Sequence, residues 1–437
     1  MKWKKKKEKF HKTKLRKTMR NLQRKNKRNC KHTRKSKDTI YSVLTSQILK
    51  EKNFYTKTVS DYILIKMGGK VQIEIPNDFS MSQNADEVID VLKRIFYCGT
   101  KLDIKEIIFD HSRCSRLGIA ASTVMDAVVL AAKSFHKSLG SELIISGNYP
   151  DDQYTKEIFI ASGLVKHLNI NKAINCDNMI RFKLVSGTTE TQNSGQVATM
   201  LTNYFNKCLK TQQYILTENG ENYLASMFGE ILDNCEKHGG EKSVWYALGH
   251  YQIREEFECG EIQLTIFNFG DSIYEQLSNP KTTPETQEKL EKMLEIHKRE
   301  FCNEWNQETM YTVFSLQEGI SRLRDKNRSG YRNRGIGTIR LMDTFYRLGQ
   351  TRHGIKPELI IVSGHTWIKF DEKYRLTKKS FNDDIMGNRE RKIIAFNKDN
   401  NIYQRAEDNV KLLKNYFPGT IIAMKFYLDQ KYLDEYV

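Results

Sequence analysis

Glu230, Asn234, Lys237 and His238 recur at offsets of four, seven and eight residues within the run FGEILDNCEKHGG, which puts all four on one face of an α-helix. A carboxylate, an amide and two basic groups are costly to bury unpaired, so that face is the wrong chemistry for a core. Ile231, Leu232 and Cys235 supply the apolar side that a packed helix needs. The chain is thus constrained to hold an amphipathic helix whose polar stripe calls for a polar ligand.

Two later segments give the stripe a setting. IFNFGDSI, from Ile266 to Ile273, reads as a strand running into a turn at Gly270. Farther on, RNRGIGTIRLMDTF places Arg334, Gly335, Gly337 and Thr338 at the opening of a helix with an apolar face. Taken singly these are ordinary: Glu-x-x-x-Asn is common on solvated helices, and a G-x-G often only opens a helix. In this order, and followed by ELIIVSG from Glu358, HTWIKFD, and PGTIIAMKFYL from Pro418, they resemble the ATP-binding domain shared by gyrase, Hsp90-type chaperones, histidine kinases and MutL-type proteins, the GHKL superfamily. The first run corresponds to its N box, and the resemblance covers residues 195–437.

The resemblance implies ATP and Mg²⁺ as ligands, and the residue types suit them. Glu230 is placed to orient or deprotonate a water near a terminal phosphate. Asn234 supplies a hard oxygen for Mg²⁺. Lys237 and His238 can meet phosphate oxygens. Gly335 and Gly337 let backbone N–H groups approach phosphate at a helix N-terminus, with Thr338 in the same turn and Arg334 adding charge. The strand-turn departs from the family pattern. Asn268 stands where the family usually carries an Asp that accepts a hydrogen bond from the adenine amino group, and Ser272 where a second glycine is common. An amide oxygen still accepts such a bond. Asp271 is the substitute if the turn is rotated, and Gly270 completes this part of the expected nucleotide site.

Net charge has an address. Residues 1–37 hold nineteen Lys or Arg against the single acid Glu8, and this accounts for the whole excess of +18, leaving the remainder neutral. A tail this basic has too little apolar surface to fold alone and expects a polyanion; nucleic acid leads, with an anionic membrane surface or a plain solubilising extension as alternatives. No apolar run approaches the roughly twenty residues that span a bilayer, and the N-terminus carries no hydrophobic signal segment, so no integral membrane segment and a cytoplasmic location are expected. The eight cysteines are scattered without a CxxC or a partnered His spacing, which argues against zinc or a disulfide framework.

Ahead of the nucleotide region the chain alternates strand and helix: DYILIKMG and KVQIEIP, then NADEVIDVLKRIFYC, EIIFDHS, RLGIAASTVMDAVVLAAKSF, SELIISGNY and YTKEIFIASGLVKHL. A strand ending at Asp110, a small-residue loop and a long helix resemble the STAS domain of anti-sigma-factor antagonists. That family can be phosphorylated on a serine at this helix entrance, for which Ser112, Ser115 and Ser122 are the candidates; Arg113 and Arg116 depart from its acidic or small residues, and a helix-capping serine is the plainer explanation.

The expected architecture is α/β: a basic tail at 1–45, disordered or weakly helical, a STAS-like domain at 58–170, a linker at 171–194, and a GHKL-type domain at 195–437 whose mixed sheet is covered by helices on one face. Within the last, residues 274–333 are expected to form a lid with helices in PETQEKLEKMLEIHKREF and SLQEGISRLRD, and the polar stretch 372–415 an insertion. Three functions compete. The first is a slowly hydrolysing ATP-dependent regulatory protein whose lid closure controls a protein partner at the STAS-like domain and nucleic acid at the tail. The second is an anti-sigma-type serine kinase, and the third a non-catalytic scaffold with a degenerate pocket. Many relatives of the nucleotide domain work as dimers, so a homodimer is possible.

Overall fold

The computed structural model describes residues 66–162, 179–189, 191–238, 243–254, 259–322, 337–348 and 355–429. The expected basic tail, Arg334 and Gly335 lie outside these residues, as does the side chain of His238.

In the first part of the chain Val71 and Ile73 are buried while Lys70, Gln72 and Glu74 are exposed, the period-two pattern of a sheet with one covered face. β1 (Lys66–Met67) folds back on β2 (Lys70–Glu74) through Gly68 and Gly69. There follow β3 (Asp78–Phe79), α1 (Ala85–Gly99), β4 (Glu106–Asp110), β5 (Arg116–Leu117), α2 (Ile119–Ser138), β6 (Ile144–Asn148) and α3 (Gln153–Ser162). β2, β4 and β6 pair in parallel, because each is joined to the next by a single helix that returns the chain to the starting end. β3 and β5 form a separate short parallel pair.

The second part runs β7 (Met179–Thr188), α4 (Ser194–Lys210), α5 (Glu218–His238), β8 (Val244–Arg254), β9 (Cys259–Phe269), α6 (Ile273–Leu277), α7 (Pro284–His297), α8 (Gln307–Ser315), α9 (Gly337–Leu348), β10 (Glu358–Phe370), β11 (Thr377–Phe381), β12 (Arg389–Ile393) and β13 (Val410–Leu428). Five strands make one sheet in the order β10-β13-β9-β8-β7. The protein is therefore mixed α/β, as expected, but the large sheet is not mixed: all its pairs are antiparallel. Two helices separate β7 from β8, so the chain re-enters the sheet at the end it left. β7 itself falls in the expected linker; MIRFKLVSGT is an edge strand on β8.

Nor is the large sheet covered on one face only. Leu264 and Ile266 of β9 pack into a core with Phe228, Ile231 and Leu232 of α5 and Met342 and Phe345 of α9. Phe267 and Phe269, pointing the other way, join a second core with Ile89, Leu92 and Phe96 of α1 and Val124 and Val128 of α2. α1 and α2 are thus sandwiched between the two sheets. Side chains tie the seam as well: Trp367 Nε1 donates to Met81 O at 2.8 Å, Lys93 Nζ to Asn415 Oδ1 at 2.9 Å, and Asn415 Nδ2 to Asp86 O at 2.9 Å. α2 is the one described helix long and apolar enough to cross a membrane, and 83% of its apolar window is buried inside the fold, the placement of a core helix.

Two expectations for the excursions need correction. α7 forms as expected, but the second expected helix is replaced by Gln307–Ser315, and the LQEGIS that follows is turn and irregular chain. Gly319 has φ +81°, and Gln317 is buried with its amide bridging Val313 O and Ile394 O. Leu290, Met293, Met310 and Phe314 belong to the main core, together with Ile385, Met386, Ile393 and Phe396 of the polar-looking insertion. Residues 274–322 and 372–415 therefore pack on each other, and residues 323–333 of the expected lid lie outside the described residues.

ELIIVSG and HTWIKFD, read as successive strands, form the single bent strand β10. Its register against β13 slips at Gly364, where φ is +60° and a Cβ would collide with Glu308. Glu308 Oε1 in turn accepts from His365 N at 2.5 Å.

Candidate functional site

α5 is built as its sequence requires. Leu224, Met227, Phe228, Ile231, Leu232 and Cys235 are buried against the sheet, while Asn234 and Lys237 are exposed and Glu230 is half-buried. The polar stripe thus runs along the edge where α5 meets the start of α9.

That start is where Gly337 matters. A Cβ on this residue would lie 2.9 Å from Glu230 Cβ and 3.1 Å from Glu230 Oε2, so the two helices approach at a distance only glycine allows. One turn into α9, Arg340 Nη1 lies 3.9 Å from Glu230 Oε1 and donates to Ser226 Oγ, one turn before Glu230 on α5. Burial pushes the Glu230 carboxyl above the usual range, Asp233 adds to the shift, and Arg340 and Lys237 oppose it. A carboxyl held this way takes up a proton more readily than a free one, which suits a group that orients or accepts a proton from water.

Lys237 is held by Asp233 across one helical turn at 2.5 Å. Both side chains are largely exposed, so the pair contributes less than about 1 kcal/mol and a polyanion can displace it. Thr338 is half-buried beside Gly337.

Asn268 is 3% exposed, on the penultimate residue of β9, between Trp245 of β8 and Thr420 of β13. Strand alternation puts it on the face of Leu264 and Ile266, the face that carries α5 and α9. Gly270 follows, its N–H donating to Pro418 O at 3.2 Å. Asp271 does not turn back to replace Asn268: its Oδ2 accepts from Gln276 Nε2 at 2.7 Å, and burial, then Glu275, pushes the carboxyl up. Ser272 is the N-cap of α6, in a reciprocal capping box with Glu275.

The fold therefore brings Glu230 and Gly337 together, continues the stripe to Asn234 and Lys237, and sets Asn268 on the same side of the sheet without a described contact to Glu230. Arg340 and Ser226 were missed from sequence. The signal was there: Ser226, Glu230 and Asn234 recur every fourth residue, and Arg340 lies one turn beyond Gly337.

The serines of the first unit fare differently. Ser112 is engaged by Asp110, donating through Oγ at 2.7 Å and through its backbone N–H at 3.1 Å; Ser122 is buried in α2; Ser115 alone is exposed. All six described cysteines are free thiols, and no cluster of metal-ligating side chains occurs among the described residues.

No protein-family model, no curated protein and no solved structure matches this chain.

Proposed function

We propose that the chain is a Mg-ATP-binding, slowly ATP-hydrolysing regulatory protein of GHKL type, with a STAS-like unit packed on the back of its sheet. The observation that carries it is the approach of Gly337 to Glu230. Gly337 is the first described residue of α9, and a helix N-terminus here would offer backbone N–H groups to a phosphate beside the stripe of Glu230 and Asn234. Element order supports the same reading: the stripe helix α5, strands β8 and β9 ending in Asn268 and Gly270, helix α9 opened by Gly337, then β10 and β13.

In this scheme Asn234 offers its amide oxygen to magnesium, and bound magnesium neutralises phosphate charge. Glu230 orients the attacking water and receives its proton at a carboxylate oxygen. Arg340 holds Glu230 in place through its contact with the carboxylate and its anchor on Ser226. Asn268, buried on the helix side of the sheet, is the residue for the base. Nucleotide occupancy then changes the spacing of α5 and α9 and so governs engagement of a protein partner by the STAS-like unit and of nucleic acid by the basic tail, in a cytoplasmic setting.

Phosphate release from Mg-ATP tests this. Glu230→Gln is expected to keep nucleotide and lose turnover by about a hundredfold or more. Transfer of label to protein serine in place of free phosphate would make the chain a serine kinase, and failure to bind any nucleotide would leave a scaffold.

A further inference from the structure

A cleft lies on the face of the large sheet opposite α5 and α9, at the other end of β9 from Asn268. It encloses about 340 Å³, within the range of small-molecule sites, between the start of α2, α3 and the Glu261 end of the sheet. Its lining includes charged and aromatic side chains among small and aliphatic ones. Arg254 is stacked over Tyr154 at 4.3 Å and lies 3.8 Å from Glu261; Lys425 lies 3.9 Å from Glu358 and 5.6 Å over Tyr427. Arg116 stands at the mouth, 62% exposed, with Asp78 at 3.2 Å. The lining also includes Gly118 and Ile119, where α2 begins without a side-chain cap.

The sheet behind this cleft is unusually polar for a buried surface. In the β8–β9 register Gln252 faces Glu261 and His250 faces Gln263. Both ring nitrogens of His250, Oε1 of Gln252 and Oγ1 of the neighbouring Thr265 are buried without a hydrogen-bond partner among the described residues. Such orphaned groups are rare in native folds and mark this end of the sheet as polar in its interior. These side chains lie on the cleft's face of the sheet, beside Glu261 and Gln263, but behind its lining rather than in it.

We propose that this cleft binds a small organic phosphate bearing hydroxyl groups, of the size of a sugar phosphate. Three cations and the opening of α2 serve the phosphate, the side-chain oxygen of Gln263 accepts a hydroxyl donor while its amide nitrogen donates to Glu261 at 2.6 Å, and Tyr154 and Tyr427 form the walls. Neither Glu230 nor Asn234 takes part, so the site is independent of the nucleotide proposal.

Calorimetric titration of the full chain with ribose 5-phosphate, with ribose as control, tests it. Ribose 5-phosphate is expected to bind and ribose not, with Lys425→Gln and Arg116→Gln each weakening binding about tenfold and Asn234→Ala leaving it unchanged. In the unaltered protein, saturating ribose 5-phosphate is also expected to protect Lys425 from acetylation, read by mass spectrometry, by about threefold or more. No heat at about 10 mM ribose 5-phosphate together with unchanged Lys425 labelling overturns the proposal, as does binding that both substitutions leave intact.

Discussion

The two faces of the five-stranded sheet are covered by different means. On one, α4, α5 and α9 follow in sequence from the strands they cover, and their apolar stripes meet Leu264, Ile266 and Phe426. On the other, α1 and α2 come from the first unit and already cover a parallel sheet of their own. The first face carries its polar chemistry at a helix-helix edge, around Glu230 and Gly337. The second is apolar at Phe267 and Phe269 and turns polar toward Glu261 and His250. One antiparallel sheet thus carries two separate polar regions, because each face has its own apolar anchor and its own polar end.

The largest expected effect tests whether the second face is a true core. Phe267→Ala removes a fully buried ring stacked on Tyr246 at 5.0 Å and is expected to cost about 3–5 kcal/mol. Because α1 and α2 share that core, urea unfolding by tryptophan fluorescence and by far-UV circular dichroism should shift together. A circular-dichroism transition of the first unit that stays where it was would break the comparison.

Acid comes next. Burial pushes His250 and His111 down to about 4, so the fold keeps both neutral while the unfolded chain protonates them near 6.5. Their contribution is present above about pH 6.5 and is lost as pH falls through about 4, on the order of 2 kcal/mol or more for the pair. Both lie on the first-unit side of the large sheet. Thermal melts between pH 7 and pH 4 check this, and a His250→Gln, His111→Gln double variant should flatten the slope; an unchanged slope contradicts it.

Smaller still is Gly337→Ala, which forces α9 away from Glu230 and is expected to cost about 1–3 kcal/mol in urea unfolding while leaving the seam intact. The smallest is Glu230→Gln. The raised carboxyl favours the protonated state in the fold, so its contribution is present below the ordinary carboxylate range and declines as pH rises through the elevated value. At pH 7 the neutral amide should stabilise the protein slightly, by less than about 1 kcal/mol for a half-exposed group, and a clear loss of stability would assign Glu230 a structural role.

Much of the helix face was legible in the sequence. The stripe of α5 obeys the helical period, and Ile231, Leu232 and Cys235 are buried where that period puts them. The α/β alternation of the first unit was equally readable: β4 and β6 fall within segments picked out by pattern, and α1 and α2 overlap theirs, running one and three residues past the end. What covers the back of the large sheet was not readable, because Phe267 and Phe269 reveal only that they are apolar and not which distant helix meets them. β7 escaped notice because an edge strand has one ladder and only a partly apolar pattern. The insertion misled for a related reason: Ile385, Met386, Ile393 and Phe396 sit among charges at irregular spacing, and long-range hydrogen bonds at Gln317, Glu318 and His297 hold their segment on α7 and α8.

The most direct test of the nucleotide proposal is equilibrium binding of ATP with and without Mg²⁺ to the unaltered protein and to Asn234→Ala. Magnesium-dependent binding that Asn234→Ala weakens about tenfold or more, with the melting temperature unchanged, is the expected result. Equal affinity in the two proteins across a magnesium titration, or no binding in either, would contradict it.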